Sequence, residues 1–143
     1  KENLNAQKNK LWGFTWSGRF STRNNTGLIE HSGRLQGDLD LKDKPRIYSE
    51  QLRDKLSRDQ HVEVAFLSPT GRRVKIGILI PQCSNNREQN RAFAASSRYF
   101  RETYDVILDP SRKDIAGLCF FSHDPQLIIN SEAVPIDITM VTR

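Results

Sequence analysis

The sequence predicts an α+β domain with a ferredoxin/RRM-like βαββαβ core. A mainly antiparallel sheet would carry two helices on one face, leave the other face open, and gain extra strands at both termini. Two stretches, around residues 45–59 and 85–103, have the apolar spacing of helices. Strand-like segments flank each of them, and two of these, 62–67 and 74–80, are close enough to form a hairpin. Right-handed crossovers place both helices on one face of such a sheet, so the opposite face is available to a ligand.

The first third of the chain predicts short strands and loops followed by one regular strand. Between residues 11 and 34, four glycines interrupt short aromatic or aliphatic pieces. Over residues 34–41, leucines alternate with polar residues. Because successive side chains of a strand point to opposite faces, Asp38 and Asp40 are expected together on the polar face.

A first helix is predicted after this strand. Pro45 suits the first turn of a helix, and apolar residues then recur every fourth position, at Tyr48, Leu52 and Leu56. The helix is expected to end near Asp59.

The runs VEVAFL and VKIGILI predict the two strands of a hairpin, whose turn contains Pro69 and Gly71. In the second strand, Val74 and the isoleucines are expected beneath the helices. Lys75 and Gly77 would then lie on the open face beside the two aspartates.

The last third predicts a second helix and two final strands. Asn85 and Glu88 have the spacing of a capping box, and an apolar stripe continues the helix to about Thr103. The final strands are expected at residues 106–108 and 116–122.

Length and composition predict a single domain over residues 1–143. The chain is long enough for one core and too short for two ordinary ones. No apolar run approaches the roughly 20 residues that cross a bilayer, so no membrane contact is expected. Residues 1–10 are predicted to be a polar lead-in, and the chain a fragment of a longer protein.

Charge and cysteine content predict the partner and the compartment. The net charge of +5 favours a polyanionic partner. Cys83 and Cys119 lie far apart without a C-x-x-C pair or clustered histidines, which argues against a disulfide framework or a zinc site. A reducing, intracellular location is therefore expected.

The pair Asp38 and Asp40 raises the question of why two like charges share a strand face. A divalent cation would remove their repulsion, since Mg²⁺ binds through carboxylates and substrate phosphates. The alternative is a solvated turn, which is the structure that an isolated D-x-D more often forms. The presence of Lys75 on the same open face favours a binding site over a solvated turn.

Two further stretches carry candidate site residues. In SPTGRRVK, residues 68–75, a turn with a glycine and two arginines opens onto the strand bearing Lys75, and it could cradle a triphosphate. In LDPSRKDIAGLCFFSHDP, residues 108–125, Asp109 ends an apolar segment, and Ser122 and His123 end the next. Taken singly, these are more often a solvated turn, a capping aspartate and a surface histidine.

Taken in order, these motifs resemble the archaeo-eukaryotic primase superfamily, the primase-polymerases, and within it the domain at the N-terminus of VirE-like proteins of bacteria, phages and mobile elements. The likeness runs from FTWSGRF, residues 14–20, through NTGLIEHSG, the D-x-D, AFLSPTGRRVK and the 108–125 segment to Asn130.

The resemblance implies a role for each motif. Asp38, Asp40 and Asp109 would bind two divalent metals, Mg²⁺ or Mn²⁺. The nucleotide-binding residues implied by it are Thr70, Gly71, Arg72, Lys75, Ser122 and His123.

Two departures from the VirE-like pattern affect the implied nucleotide contacts: either Arg73 and neighbouring basic residues compensate, or the domain is a weakened enzyme or a binder. Arg73 stands where the pattern has a second glycine, and Gly117 stands where it has an arginine.

The function implied is that of a nucleotidyltransferase, a primase-polymerase that joins NTPs or dNTPs on a single-stranded DNA template by two-metal catalysis. Arg19, Arg23 and Arg73 would contact the nucleic acid, and Trp12 and Trp16 would either stack on bases or pack in the core. A helicase in the same chain or operon, and the cytoplasm of a bacterium or phage-infected host, are expected. The alternatives are a non-catalytic RRM-like nucleic-acid-binding module and a metal-dependent nuclease.

Overall fold

The computed structural model describes residues 11–41 and 43–139, and the predicted lead-in, residues 1–10, lies outside them. The α+β class, with two helices and mainly antiparallel sheets, is confirmed. The elements in chain order are β1 (Gly13–Thr15), β2 (Gly18–Phe20), β3 (Leu28–His31), β4 (Arg34–Asp40), α1 (Arg46–Leu56), β5 (Val62–Leu67), β6 (Arg73–Leu79), α2 (Asn86–Tyr104), a 3₁₀ turn (Pro110–Arg112), β7 (Leu118–Phe120) and β8 (Ile128–Ile129).

The main sheet has the strand order β4-β6-β5-β8, with every neighbouring pair antiparallel. Strand β6 lies inside it because its alternate residues, Val74, Ile76 and Ile78, are completely buried against the helices. The β4/β6 register sets Asp38 opposite Lys75. The polar residues of both strands consequently share the face away from the helices.

Both helices pack on one face of this sheet, as predicted. Leu52 and Leu56 of α1 and Phe93 and Phe100 of α2 belong to the same core as the alternate apolar residues of β4, β5 and β6. The predicted cap of α2 is present, since Asn85 Oδ1 accepts a hydrogen bond from the Glu88 N–H. Neither helix of the described residues combines the length and apolar character needed to span a bilayer.

The final strands differ from the prediction. Asp105 ends α2 in the left-handed conformation and Pro110 starts the 3₁₀ turn, and the four residues between them form no strand. The segment reaches β4 at Asp109, whose N–H donates a hydrogen bond to the Asp38 carbonyl (2.7 Å). Strand β7 pairs with β1 in a separate two-stranded sheet.

The face opposite the helices is partly covered. Gly77, which the sequence places on the open side, lies beneath the Trp16 ring; a Cβ atom built on Gly77 would come within 2.4 Å of that ring. Trp16 is also stacked on Phe66 of β5, with ring centroids 6.0 Å apart. The uncovered part of this face is therefore the end that carries Asp40 and Arg73.

A candidate site of three carboxylates and three cations

Strands β4 and β6 bring two acid–base pairs side by side. The Lys75 ammonium lies 3.0 Å from Asp38 Oδ2, and an Arg73 guanidinium nitrogen lies 3.1 Å from Asp40 Oδ2. These contacts follow from the register, because Asp38 is opposite Lys75 and Asp40 is opposite Arg73.

Asp109 comes from a distant part of the chain and lies next to these two ion pairs. Its carboxylate accepts a hydrogen bond from the Ser111 N–H (2.9 Å), which caps the 3₁₀ turn. The same turn carries Arg112, whose Nε lies 3.5 Å from Asp38 Oδ2. The turn therefore adds one carboxylate and one guanidinium to the site.

Arg73 lies at the centre of the three carboxylates. Its Nη1 is 3.5 Å from Asp38 Oδ2 and 3.3 Å from Asp109 Oδ2, while Nη2 contacts Asp40. Burial alone would lower the pKa of Arg73, but the charges of Asp38 and Asp40 and the hydrogen bond to Asp109 raise it above its ordinary value. Arg73 was predicted to contact nucleic acid, and the structure places it among the carboxylates.

Asp38 is completely buried, whereas the sequence predicts it on an open face. The difference arises because Lys75, Arg73 and Arg112 all approach one of its oxygens, Oδ2. The other oxygen, Oδ1, is buried and has no hydrogen-bond partner among the described residues. An unpaired carboxylate oxygen is costly to bury, so this atom marks a place where a further donor or a cation would be stabilising.

The donor set fits a divalent cation in chemistry. Asp38, Asp40 and Asp109 supply hard oxygen ligands, the type that Mg²⁺ and Mn²⁺ prefer, and Asp38 Oδ1 is an available acceptor. In the present arrangement, no three potential ligands within residues 11–41 and 43–139 are spaced to hold a metal ion. Because Arg73 lies among the three carboxylates, its guanidinium would have to move for a cation to take its place.

Hydrogen bonds to Asp109 keep it ionised. Burial would raise the pKa of this carboxyl, but hydrogen bonds from Ser111 and the adjacent Arg73 hold it below its ordinary value. Two carboxyl groups outside the site, Asp124 and Glu63, also have lowered pKa values. The pKa of Asp124 is lowered against its burial by the Leu67 and Gln126 N–H groups and by Arg53, and that of Glu63 is lowered chiefly by its hydrogen bond with Arg34.

These lowered pKa values predict acid sensitivity. A carboxylate whose pKa is lower in the folded state contributes stability above its unfolded pKa, about 4, and loses it as the pH falls through the folded value. The free energy of unfolding should therefore be constant from about pH 7 to 5 and fall steadily below about pH 4. Urea denaturation followed by circular dichroism across this range measures it.

Asp124→Asn provides the control for this prediction. The variant removes one of the titrating groups and should flatten the acid limb while lowering stability at neutral pH. An unchanged slope in the variant would contradict the assignment of Asp124.

The predicted triphosphate turn forms a separate basic pocket beside the site. This pocket has a volume of about 370 Å³ and is lined by Lys44, Arg46, Thr70, Gly71 and Arg72. Gly71 has a φ of +72°, a conformation that glycine adopts without strain. The pocket adjoins the carboxylates, since the Arg72 carbonyl accepts a hydrogen bond from the Leu41 N–H directly after Asp40.

Ser122 and His123 occupy different environments. The Ser122 hydroxyl donates to the Leu67 carbonyl (2.6 Å) at the end of β5. His123 is exposed, and among the described residues it has no hydrogen bond or ion pair. Neither side chain contacts the three carboxylates, so their nucleotide-binding role remains a prediction.

The predicted nucleic-acid residues of the N-terminal part are spread over the surface. Arg19 forms an exposed ion pair with Glu30 (3.5 Å). Arg23 donates a hydrogen bond to the Ala116 carbonyl (3.1 Å), which places it beside Gly117. A pocket of about 400 Å³ there is lined by Arg23 and Arg112 together with Gly117.

Sequence reasoning missed two features that shape the site. The sequence analysis does not single out Arg112, although its place two residues after Pro110 in a tight turn is a signal. Arg53 and Asp124 form a buried ion pair in which one guanidinium nitrogen lies 3.0 Å from each carboxylate oxygen. Asp124 also accepts from the Leu67 N–H, so this pair anchors the segment of Ser122 to the end of β5.

Comparison with known proteins gives one match. A sequence model of the family described as "BT4734-like, N-terminal domain" matches residues 6–128. No curated protein and no solved structure matches the chain.

The match corrects the resemblance drawn from the motifs. The matching family is not a primase family, so the assignment to the archaeo-eukaryotic primase superfamily, and to its VirE-like members, is wrong. The ordered motifs that carried it are short, and Arg73 and Gly117 already departed from the pattern. Any role for Asp38, Asp40 and Asp109 must therefore be argued from their geometry.

Proposed function

The chain belongs to the BT4734-like N-terminal domain family, and from its site we propose that it is a nucleotidyltransferase that joins nucleotides on a single-stranded template. The observation that carries the proposal is the convergence of Asp38, Asp40 and Asp109 on Arg73, at the uncovered end of the sheet face. The three carboxylates come from two segments that are 69 or more positions apart in the chain, and Arg73 contacts all three. A bound cation would offset their mutual repulsion if Arg73 turned away.

The carboxylates would hold one or two divalent cations, Mg²⁺ or Mn²⁺. When bound, such an ion neutralises charge on the nucleotide phosphates and lowers the pKa of the attacking hydroxyl. Asp40 and Asp109 suit ligand exchange because their side chains are partly exposed, at 33% and 24%. Asp38 suits the fixed position, since it is buried and held by Lys75.

The cations of the site would bind the triphosphate. The Arg73 side chain is 29% exposed, so its guanidinium can turn from the carboxylates towards phosphate oxygens, with which it pairs in a bidentate manner. The basic pocket of Lys44, Arg46 and Arg72 begins one residue before Arg73 in the chain, and its lining includes no acidic residue among those described. Fixed cations at this place would stabilise the charge that develops on the leaving pyrophosphate.

A second candidate function is non-catalytic binding of single-stranded nucleic acid. The observation that favours it is the charge balance of the site, in which Arg73, Lys75 and Arg112 already offset the three carboxylates. In this case the cluster would be a structural ion-pair network.

Primer extension separates these functions. A labelled primer annealed to a single-stranded template is incubated with the protein, Mg²⁺ or Mn²⁺, and either NTPs or dNTPs, beside samples containing EDTA or lacking template. Metal-dependent, template-dependent elongation is the expected result.

The other outcomes contradict the proposal. Shortened primer would identify a metal-dependent nuclease. An unchanged primer that is nevertheless bound by the protein would favour the non-catalytic module.

A further inference from the structure

An apolar groove of about 570 Å³ lies on the same sheet face as the carboxylate site. Its lining is mainly aromatic and aliphatic, and includes Phe14, Trp16, Val64, Phe66, Phe121 and Ile129. Two of these side chains are well exposed, Phe121 at 55% and Ile129 at 67%. A groove that exposes large apolar side chains beside a charged site is typical of a binding surface.

Four aromatic rings form a continuous series along this groove. The ring centroids of Phe121 and Phe14 are 5.2 Å apart, those of Phe14 and Trp16 are 4.8 Å apart, and those of Trp16 and Phe66 are 6.0 Å apart. The rings are tilted by 27° to 36° to their neighbours. The series runs from the exposed Phe121 inwards to the sheet.

The inner end of the groove lies on the strand next to the charged site. Phe66 is paired in register with Lys75, which contacts Asp38. At the other side, Phe120 lines both the groove and the pocket that contains Arg23 and Arg112. The aromatic groove and the two guanidinium groups therefore lie on either side of Phe120.

We infer that this groove binds unpaired bases of a single-stranded nucleic acid, whose phosphates contact Arg23 and Arg112. Aromatic side chains stack on every base, and neighbouring cations follow the backbone, which is how small domains bind single strands without sequence preference. Apolar side chains make up most of the lining, and its two charged side chains, Arg34 and Glu63, pair with each other, which fits stacking better than recognition of particular base edges. The inference rests on the proposed function in one respect, that the bound strand is the template.

Trp16 provides a direct reporter of binding. The chain contains two tryptophans, so Trp12→Phe, at an 82% exposed position outside the groove, leaves Trp16 as the only indole. A small domain of this kind covers about 4–16 nucleotides, so the probe is an oligothymidylate longer than that. It is added without divalent cation or nucleotide, so that binding is measured without catalysis. The expected result is quenching of Trp16 emission by the single strand, and much weaker quenching by a duplex of the same length.

Phe121→Ala tests the stacking itself. Loss of one stacked base should weaken the Kd for the oligothymidylate by about 5-fold to 100-fold, measured by fluorescence anisotropy of a labelled strand. Ile47→Ala, at an equally exposed apolar position on α1 (57%), should leave the Kd unchanged.

Three results would overturn the inference: no binding of the oligonucleotide, binding that leaves Trp16 emission unchanged, or a Phe121→Ala variant that binds like the unaltered protein. A protein that binds the strand in this groove but extends no primer would contradict the proposed function and support the inference.

Discussion

Asp40→Asn should lower nucleotidyl transfer by about a thousandfold, which corresponds to about 4 kcal/mol of transition-state stabilisation. An amide keeps the shape of the carboxylate but removes the negative charge that a divalent cation needs. Asp40 is partly exposed at the end of β4, so the free energy of unfolding should change by less than about 1 kcal/mol. Single-nucleotide incorporation gives kcat/KM, and urea denaturation gives the stability.

Asp105→Asn is the matched control for this prediction. It makes the same chemical change at an exposed position, the left-handed residue after α2, where asparagine is well tolerated. Its activity and stability should equal those of the unaltered protein. An Asp40→Asn variant with kcat/KM within a few-fold of the control would show that Asp40 takes no part in the reaction.

Lys75→Met should destabilise the fold by about 3 kcal/mol or more. The Asp38 and Lys75 side chains are both buried, and removing the ammonium leaves a buried carboxylate with one strong partner fewer. Arg73 and Arg112 remain, each 3.5 Å from Asp38 Oδ2, so the loss should fall at the lower end of the range for broken buried pairs. Chemical denaturation measures the change.

The double variant Asp38→Leu/Lys75→Met separates stability from activity. Replacing both members of a buried ion pair by apolar residues is often close to neutral, so the double variant should recover most of the stability lost in Lys75→Met. It should remain inactive, since Asp38 is then absent. A Lys75→Met variant that loses less than about 1 kcal/mol would show that the pair is not the buried contact that fixes Asp38.

Periodicity predicted the α+β architecture because the signals that define it are local. The capping residues of α2, the alternation along β4 and β6, and the hairpin between β5 and β6 each lie within a short window of sequence. The same alternation correctly placed Asp38, Asp40 and Lys75 on one face of the sheet.

The burial of that face could not be predicted in the same way. Asp38 is buried by side chains from β6 and from the 3₁₀ turn, which are 35 or more positions away in the chain. Trp16 covers Gly77 from the turn between β1 and β2, two strands that belong to other sheets. Both effects depend on tertiary contacts that leave no periodic pattern in the sequence.

The family assignment failed for a related reason. Short motifs in order suggested one superfamily, whereas the match over residues 6–128 identifies another family. The arrangement of the three carboxylates in space does not depend on the family assignment. The function of this cluster as a metal and nucleotide site remains a proposal.

Binding of Mn²⁺ tests the central claim most directly, because it asks whether the carboxylates hold a cation before any reaction is considered. Electron paramagnetic resonance measures free Mn²⁺ during titration of the unaltered protein and of the Asp40→Asn/Asp109→Asn double variant, each with and without a non-hydrolysable nucleoside triphosphate. We expect the unaltered protein to bind Mn²⁺ more tightly when the nucleotide is present, and the double variant to bind it at least about tenfold more weakly. Equal binding by the two proteins, or no binding by either, would contradict the claim and leave the cluster as an ion-pair network.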